Sequence, residues 1–232
     1  MPDRPAGFYA RRGKRWLDLA VAVPALVVLS PLLLAVAALV RLRLGAPVLF
    51  RQERVGRGER IFRLLKFRTM TDARDDAGRL LPDEVRLTTL GLALRRWSLD
   101  ELPQLINVVR GEMSLIGPRP LLVRYLPRYT SRQRLRHSVR PGITGWAQAH
   151  GRNRLGWEQR FERDVWYVRH LSLRVDLEVL WLTLLHGLRR AAVAPGGAAE
   201  GGEFWGTATP PAGAAFSYPS EEVSTAERGA LP

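Results

Sequence analysis

The stretch LAVAVPALVVLSPLLLAVAALV, residues 19–40, decides how this chain is organised. Every residue in it is apolar except Ser30. As one α-helix its 22 residues would reach about 33 Å, which matches the roughly 30 Å hydrocarbon core of a bilayer. The stretch therefore predicts a helix that is embedded in a membrane.

The charges on either side of this stretch predict how the helix enters the membrane. Lys and Arg favour the cytoplasmic side of a membrane, and four of them stand close to each end of the stretch, so both ends are expected in the cytoplasm. The basic residues are Arg11, Arg12, Lys14 and Arg15 before it, and Arg41, Arg43, Arg51 and Arg54 after it.

The dipeptide Ser30-Pro31 lies in the middle of the stretch and provides a place for a break. Pro31 lacks an N–H and clashes with the carbonyl of Val27, while the Ser30 hydroxyl can pair with a backbone group that is freed inside lipid. We therefore predict a re-entrant helix over residues 12–44 that enters and leaves by the same face. A kinked single span and a cleaved signal peptide are the alternatives. Asp18, at the polar boundary, is read as an ion-paired anchor or a solvated helix end.

The rest of the chain predicts a small cytoplasmic domain of mixed helices and short strands, residues 45–191, so the fold class is α+β. Residues 48–50 and 61–65 read as strands of a hairpin around Gly56-Arg57-Gly58. Apolar residues recur at helical spacing from a start near Ser98 to Val109, and Gly111 follows as a C-cap.

Two further helices are predicted over residues 157–170 and 174–189. The second is too short to span a bilayer and is expected in the core or at the membrane interface, where Trp166, Tyr167 and Trp181 would fit. Residues 192–232 are rich in Gly, Ala, Pro, Ser and Glu, which predicts a disordered tail that catalysis does not need.

Charge and composition restrict the partners of this domain. The net charge is +14, and residues 192–232 hold five Glu against one Arg, a net of −4, so residues 1–191 carry +18. Such a charge favours anionic lipid, a phosphorylated substrate or nucleic acid. No helix-turn-helix or RNA-binding signature occurs, so nucleic acid is not expected. The absence of Cys excludes disulfides and thiolate metal sites.

Asp100 and Glu101 are adjacent carboxylates with two readings. Ser98-Leu99-Asp100-Glu101 matches a capping box, and Asp100 is an alternative N-cap that suits Pro103 better; in either case acids offset the helix dipole. Alternatively, a carboxylate in this place could hold Mg²⁺ or attack a phosphorus atom. The spacing alone leaves both readings open.

Three cations stand out as candidate phosphate ligands. Only Lys14 and Lys66 are lysines among 36 basic residues. Either chance has retained them, or a compact ammonium suits a single phosphate oxygen where a guanidinium does not fit. Arg119, held between Pro118 and Pro120, is a pre-shaped phosphate ligand or a structural corner.

Four segments follow one another along the chain: Lys66-Phe67-Arg68-Thr69-Met70, Ser98-Leu99-Asp100-Glu101-Leu102-Pro103-Gln104-Leu105, Met113-Ser114-Leu115-Ile116-Gly117-Pro118-Arg119-Pro120 and Arg140-Pro141-Gly142-Ile143-Thr144-Gly145-Trp146. Together, and in this order, they resemble the bacterial sugar transferases, also called monotopic phosphoglycosyl transferases. The resemblance covers about residues 12–190. The chain looks like the minimal form of the family, without extra membrane helices.

The resemblance implies a Mg²⁺-dependent reaction in two steps at the cytoplasmic face of a bacterial inner membrane. Asp100 would attack the β-phosphorus of a UDP-sugar and expel UMP, and undecaprenyl phosphate would then displace Asp100, giving a polyprenyl diphosphate sugar that starts glycan assembly. Glu101 would support metal binding or proton handling. Lys66, Arg95 and Arg119 would hold phosphates, with Asp164 and Asp176 as further candidates.

Two other classes of protein compete with this interpretation. A membrane-tethered module that binds lipid or nucleic acid would use the charge and the seven Trp residues. A non-catalytic scaffold would leave the acidic pair to capping. The sequence does not name the sugar or the glycan pathway, and it leaves a homodimer open.

Overall fold

The computed structural model describes residues 7–151, 155–190, 204 and 206, and it combines helices with two small β-sheets. The predicted mixture of helices and short strands is confirmed. The helices are α1 (Lys14–Leu44), α2 (Asp83–Arg86), α3 (Thr89–Arg96), α4 (Gln104–Arg110), α5 (Ser131–Arg134), α6 (Trp146–His150), α7 (Trp157–Arg169) and α8 (Leu173–Arg190), and the strands are β1 (Leu49–Val55), β2 (Ile61–Phe67), β3 (Ser114–Ile116) and β4 (Gly142–Thr144).

Helix α1 follows a π-helical turn, Tyr9–Gly13, and continues without interruption through Pro24 and Pro31. The helical assignment is therefore not interrupted at Ser30-Pro31, where a break was predicted, and the re-entrant course of the helix stays a prediction. The local chemistry expected at this dipeptide is present, because the Ser30 hydroxyl donates to the carbonyl of Val27 at 2.7 Å. That carbonyl is the one that Pro31 cannot pair with.

One stripe of α1 packs on the rest of the protein along most of the helix. Before Ser30, Ala22 belongs to a buried cluster with Phe62 and Leu105, and after it, Val36 and Val40 belong to another with Phe67 and Leu94. The opposite side of α1 is apolar but exposed, and the helix is long and apolar enough to cross a membrane. Its large exposed apolar residues are Trp16, Val21, Val23, Val27, Val28, Leu32, Leu34, Leu39 and Leu42.

Strands β1 and β2 form the predicted antiparallel hairpin, with Phe50 opposite Lys66. The fully buried Asn107 of α4 joins this hairpin to the helix. Its amide oxygen accepts from the backbone N–H of Leu65 at 3.1 Å, and its amide nitrogen donates to the carbonyl of Arg63 at 2.8 Å. These two bonds hold the end of β2, and with it Lys66, against α4.

Helical backbone begins after Ser98, as predicted, but it begins as a 3₁₀ turn and not as an α-helix. Ser98 is left-handed with φ 55° and makes no capping bond, so the capping box is wrong. Leu99–Glu101 form a 3₁₀ turn, and α4 begins after Pro103. The predicted C-cap is confirmed, because Gly111 has φ 83°, a conformation that favours glycine. Helix α3, whose N-cap is Thr88, was not predicted.

Strands β3 and β4 pair in parallel and bring the third and fourth family-like segments together. Gly142 makes this approach possible, because a Cβ atom there would lie 2.0 Å from the backbone nitrogen of Gly117. The close contact fixes the start of the loop over residues 117–122, which we call the Arg119 loop.

Helices α7 and α8 confirm the two helices predicted at the end of the domain. Val168, Val175 and Val179 are buried with Ile116 in one core cluster. The other face of α8 leaves five large apolar side chains exposed, namely those of Leu173, Leu177, Leu180, Trp181 and Leu184. Most of residues 192–232 lies outside the described residues, so the disordered tail stays a prediction, whereas the side chain of Phe204 is buried.

Candidate active site

Asp100 lies in the 3₁₀ turn between α3 and α4 and is buried, with 7% of its surface exposed. Burial raises the pKa of its carboxyl group, and the nearby Glu101 adds to this, while the cations Lys66 and Arg95 act in the opposite direction. A carboxylate of raised pKa, partly removed from water and flanked by cations, has the properties of an oxygen nucleophile for an anionic substrate.

Glu101 joins two of the predicted phosphate ligands. One of its oxygens, Oε1, accepts from Lys66 Nζ at 3.0 Å and from a guanidinium nitrogen of Arg119 at 3.1 Å. Burial alone would raise the pKa of Glu101, but Arg119 and Lys66 outweigh it and lower that pKa to about 2. Glu101 therefore stays ionised at neutral pH and holds both cations beside Asp100.

Arg95 reaches the same region from the last turn of α3. Its Nε donates to the hydroxyl of Thr69 at 3.1 Å, in the same segment as Lys66. The structure thus brings together five of the residues singled out in the sequence: Asp100, Glu101, Lys66, Arg95 and Arg119. Three cations and two carboxylates make a setting in which a diphosphate could bind and react.

Asp164 contacts this group only indirectly. It is buried and accepts from Arg136 Nε at 3.0 Å and Nη2 at 2.8 Å, and Arg136 also donates to the carbonyl of Arg119 at 2.7 Å. Burial raises the pKa of Asp164 and Arg136 opposes that rise. Asp164 therefore supports the Arg119 loop through Arg136.

Asp176 joins α8 to the start of the chain. It is 1% exposed and accepts from Tyr9 at 2.5 Å, Lys14 at 2.6 Å and Tyr167 at 2.7 Å. Both carboxylates that were predicted to bind substrate are thus engaged by protein groups. Substrate contact through Asp164 or Asp176 stays a prediction that these contacts do not favour.

Three residues that position the site were not singled out as site residues. Arg136 supports the Arg119 loop, Asn107 holds β2, and Asp18 accepts from the hydroxyl of Ser114 at 2.9 Å and the N–H of Leu115 at 3.1 Å. Asp18 is therefore an anchor, held by hydrogen bonds to β3. Asn107 could have been found from the sequence, because it is a polar residue among apolar neighbours at helical spacing. Nothing in the sequence distinguishes Arg136 among the 34 arginines.

Comparison with known proteins adds independent support for the family. The model of the family described as bacterial sugar transferase matches residues 9–190. The uncharacterized sugar transferase EpsL of Bacillus subtilis is 56% identical over 171 residues, which cover 74% of this chain and 85% of the relative.

Two relatives carry names that state a reaction. The UDP-N-acetylgalactosamine-undecaprenyl-phosphate N-acetylgalactosaminephosphotransferase of Aeromonas hydrophila is 41% identical over 74% of this chain. The UDP-glucose:undecaprenyl-phosphate glucose-1-phosphate transferase of Escherichia coli is 39% identical over 80% of it. The match spans 42% of the length of each of these larger proteins. The extent of the family match and these identities establish that the chain belongs to the bacterial sugar transferase family.

Proposed function

We propose that this protein transfers a sugar phosphate from a UDP-sugar to undecaprenyl phosphate, at the cytoplasmic face of a bacterial inner membrane, as the first membrane step of glycan assembly. The observation that carries the proposal is the buried Asp100 beside a Glu101 carboxylate that holds Lys66 and Arg119. The names of the two larger relatives support this class of reaction.

The reaction proceeds in two displacements at phosphorus. A carboxylate oxygen of Asp100 bonds to the β-phosphorus of the UDP-sugar, the bond from that phosphorus to the bridging oxygen breaks, and UMP leaves with the electron pair. An oxygen of undecaprenyl phosphate then bonds to the same phosphorus and displaces the Asp100 carboxylate. Lys66, Arg95 and Arg119 balance the phosphate charges in both steps.

A magnesium ion fits this site only with help from the substrate. Among the described residues no three His, Asp or Glu side chains converge, and Mg²⁺ is commonly held by one or two carboxylates together with substrate phosphates and water. Asp100 and Glu101 would hold the ion here. When bound, it supplies neutralisation of charge on the diphosphate.

The exposed apolar surfaces support a membrane position with both ends of α1 on the same side. Both halves of α1 pack on the one domain, and α8 adds a second exposed apolar face with Trp181 on it. A helix that spanned the bilayer would carry one half away from that domain. We therefore propose that α1 enters the membrane and returns to the cytoplasmic face, with α8 lying in the interface.

Single cysteines placed at Pro5 and Ala46 test this topology, because the natural chain has none. We expect both thiols to be shielded from an impermeant maleimide added outside intact cells and to react after lysis. Replacing Ser30 and Pro31 with Ala and Leu is expected to move some molecules to a spanning topology. Labelling of one thiol alone in the otherwise unchanged chain would show that α1 spans the membrane.

The proposed activity is tested by incubating purified protein with undecaprenyl phosphate, Mg²⁺ and a panel of UDP-sugars. We expect UMP release with at least one sugar, and a matching polyprenyl diphosphate sugar in the lipid extract. UMP release without acceptor-dependent product, or no release with any sugar in the presence of folded protein, would contradict the proposal.

Lys66→Met and Arg119→Met are expected to weaken binding of the UDP-sugar, because each removes a cation that faces the acidic pair. We expect KM to rise about tenfold or more for each variant, because losing a charge-assisted hydrogen bond costs roughly 1.5–3 kcal/mol of binding free energy. The matched control is Arg63→Met, which removes the same charge from an exposed position of the same strand. Equal effects in all three variants would indicate a general loss of positive charge.

A further inference from the structure

Phe204 stands outside the part of the chain that matches the family, residues 9–190, yet only 2% of its surface is exposed. Its ring lies among four aromatic rings that we call the aromatic socket: Tyr125, Tyr129, Trp157 and Phe161. The centroids of neighbouring rings in this group, Phe204 included, lie 4.9–5.8 Å apart.

The contacts of Phe204 have the geometry of a fitted side chain. Its ring stacks on Tyr129 with an interplanar angle of 23° and meets Tyr125 and Phe161 edge to face, at 81° and 75°. Offset stacking and edge-to-face contact are the arrangements that aromatic rings favour. The main chain is held as well, because a guanidinium nitrogen of Arg128 donates to the carbonyl of Phe204.

The aromatic socket also contacts the support of the candidate active site. The guanidinium carbon of Arg136 lies 5.9 Å from the ring centroid of Tyr129 and 5.5 Å from that of Phe161. The same guanidinium donates to the carbonyl of Arg119, and Arg119 in turn donates to Glu101 at 3.1 Å. A continuous series of contacts therefore joins Phe204 to the acidic pair.

We propose that Phe204 is a positioning residue, which docks in the aromatic socket and thereby holds Arg136 and the Arg119 loop in the geometry that binds the diphosphate of the substrate. This inference rests on the proposed function for what the loop binds. It replaces the expectation, made from composition, that catalysis does not need residues 192–232.

The physical reason lies in how the rings confine Arg136. A guanidinium at the face of an aromatic ring is held by the ring quadrupole as well as by its ion pair. Removing the Phe204 ring leaves Tyr129 and Phe161 with space on one side, and close-packed side chains shift or rotate when a neighbour is lost. The displacement then passes to Arg119 through its carbonyl.

Hydrogen exchange of the full-length protein tests the docking without any use of catalysis. We expect peptides that contain residue 204, and peptides that cover residues 117–122, to exchange faster in Phe204→Ala than in the natural chain. Phe204→Leu, which keeps an apolar side chain, should restore most of the protection. The matched control is Phe216→Ala, another phenylalanine of the same C-terminal region, and it should leave residues 117–122 unchanged.

Kinetics with the best UDP-sugar then test the effect on the site. We expect Phe204→Ala to raise KM about tenfold, since residues that couple to a site from outside change its energetics by about 0.5–2 kcal/mol, with kcat little changed. Because Phe204 acts through Arg119, adding Phe204→Ala to Arg119→Met should raise KM little further. A purely structural residue would instead give additive effects.

The outcomes separate this inference from the proposed function. Faster exchange at residue 204 with unchanged exchange at 117–122 would overturn the coupling, and no change at either place would overturn the docking. Additive effects of Phe204→Ala and Arg119→Met on KM would also overturn it. Absence of UMP release from the natural chain would contradict the proposed function while the exchange experiment still decides whether Phe204 supports the Arg119 loop.

Discussion

Asp100→Asn is expected to abolish UMP release and to leave the fold intact. The amide has the size of the carboxylate but cannot form a bond to phosphorus that is later displaced, so we expect activity to fall by at least about 10⁴-fold, as for other nucleophiles. Asp100 makes no helix cap, since it lies inside the 3₁₀ turn and α4 begins only after Pro103. The loss therefore cannot be assigned to a broken capping box.

Intact-protein mass spectrometry measures the covalent step directly. Wild-type protein mixed with Mg²⁺ and a competent UDP-sugar, without acceptor, is expected to gain the mass of one phosphosugar. Asp100→Asn should show no added mass. Asp76→Asn, the same change at an exposed carboxylate, is the control and should behave as wild type. Substantial turnover by Asp100→Asn would eliminate covalent catalysis at this residue.

Glu101→Gln is a useful comparison, because it removes the charge that Lys66 and Arg119 share without removing Asp100. It is expected to impair turnover but still to allow the phosphosugar adduct to form. Asp100→Asn is thus expected to prevent formation of the adduct, whereas Glu101→Gln is expected to impair turnover without preventing it.

Patterns that are local in sequence predicted much of the fold. The apolar stretch of α1, the hairpin around Gly56-Arg57-Gly58, the C-cap at Gly111 and the helices α7 and α8 each depend on neighbours a few residues away. The failure near Ser98 has the same origin. Helical spacing of apolar residues does not distinguish the 3₁₀ turn Leu99–Glu101 from the α-helix that begins after Pro103.

The candidate site was predictable in part because the resemblance located Asp100, Glu101, Lys66, Arg95 and Arg119. What the sequence could not supply was the partners of the other carboxylates. Asp164 pairs with an arginine 28 positions away and Asp176 with a lysine 162 positions away, and residue type alone does not separate a ligand from a buried ion pair. Phe204 was missed because an apolar residue in a polar segment carries no periodic signal.

Asp176→Asn is expected to destabilise the protein strongly and to leave UDP-sugar affinity unchanged in the molecules that remain folded. The carboxylate is 1% exposed and accepts from Tyr9, Lys14 and Tyr167. The amide leaves the Lys14 ammonium, itself mostly buried, without its counter-ion. Breaking such a pair from one side costs about 3–5 kcal/mol, because a buried charge is left uncompensated.

For a chain of this length the cost corresponds to a fall of about 10 °C in the thermal midpoint, measured in detergent by circular dichroism. Replacing both partners, with Lys14→Met and Asp176→Leu, removes both charges and should recover much of the stability. Arg132→Met serves as the control, since it breaks an exposed ion pair with Glu162 and should change the midpoint little. Normal stability of Asp176→Asn together with weaker UDP-sugar binding would return Asp176 to the substrate site.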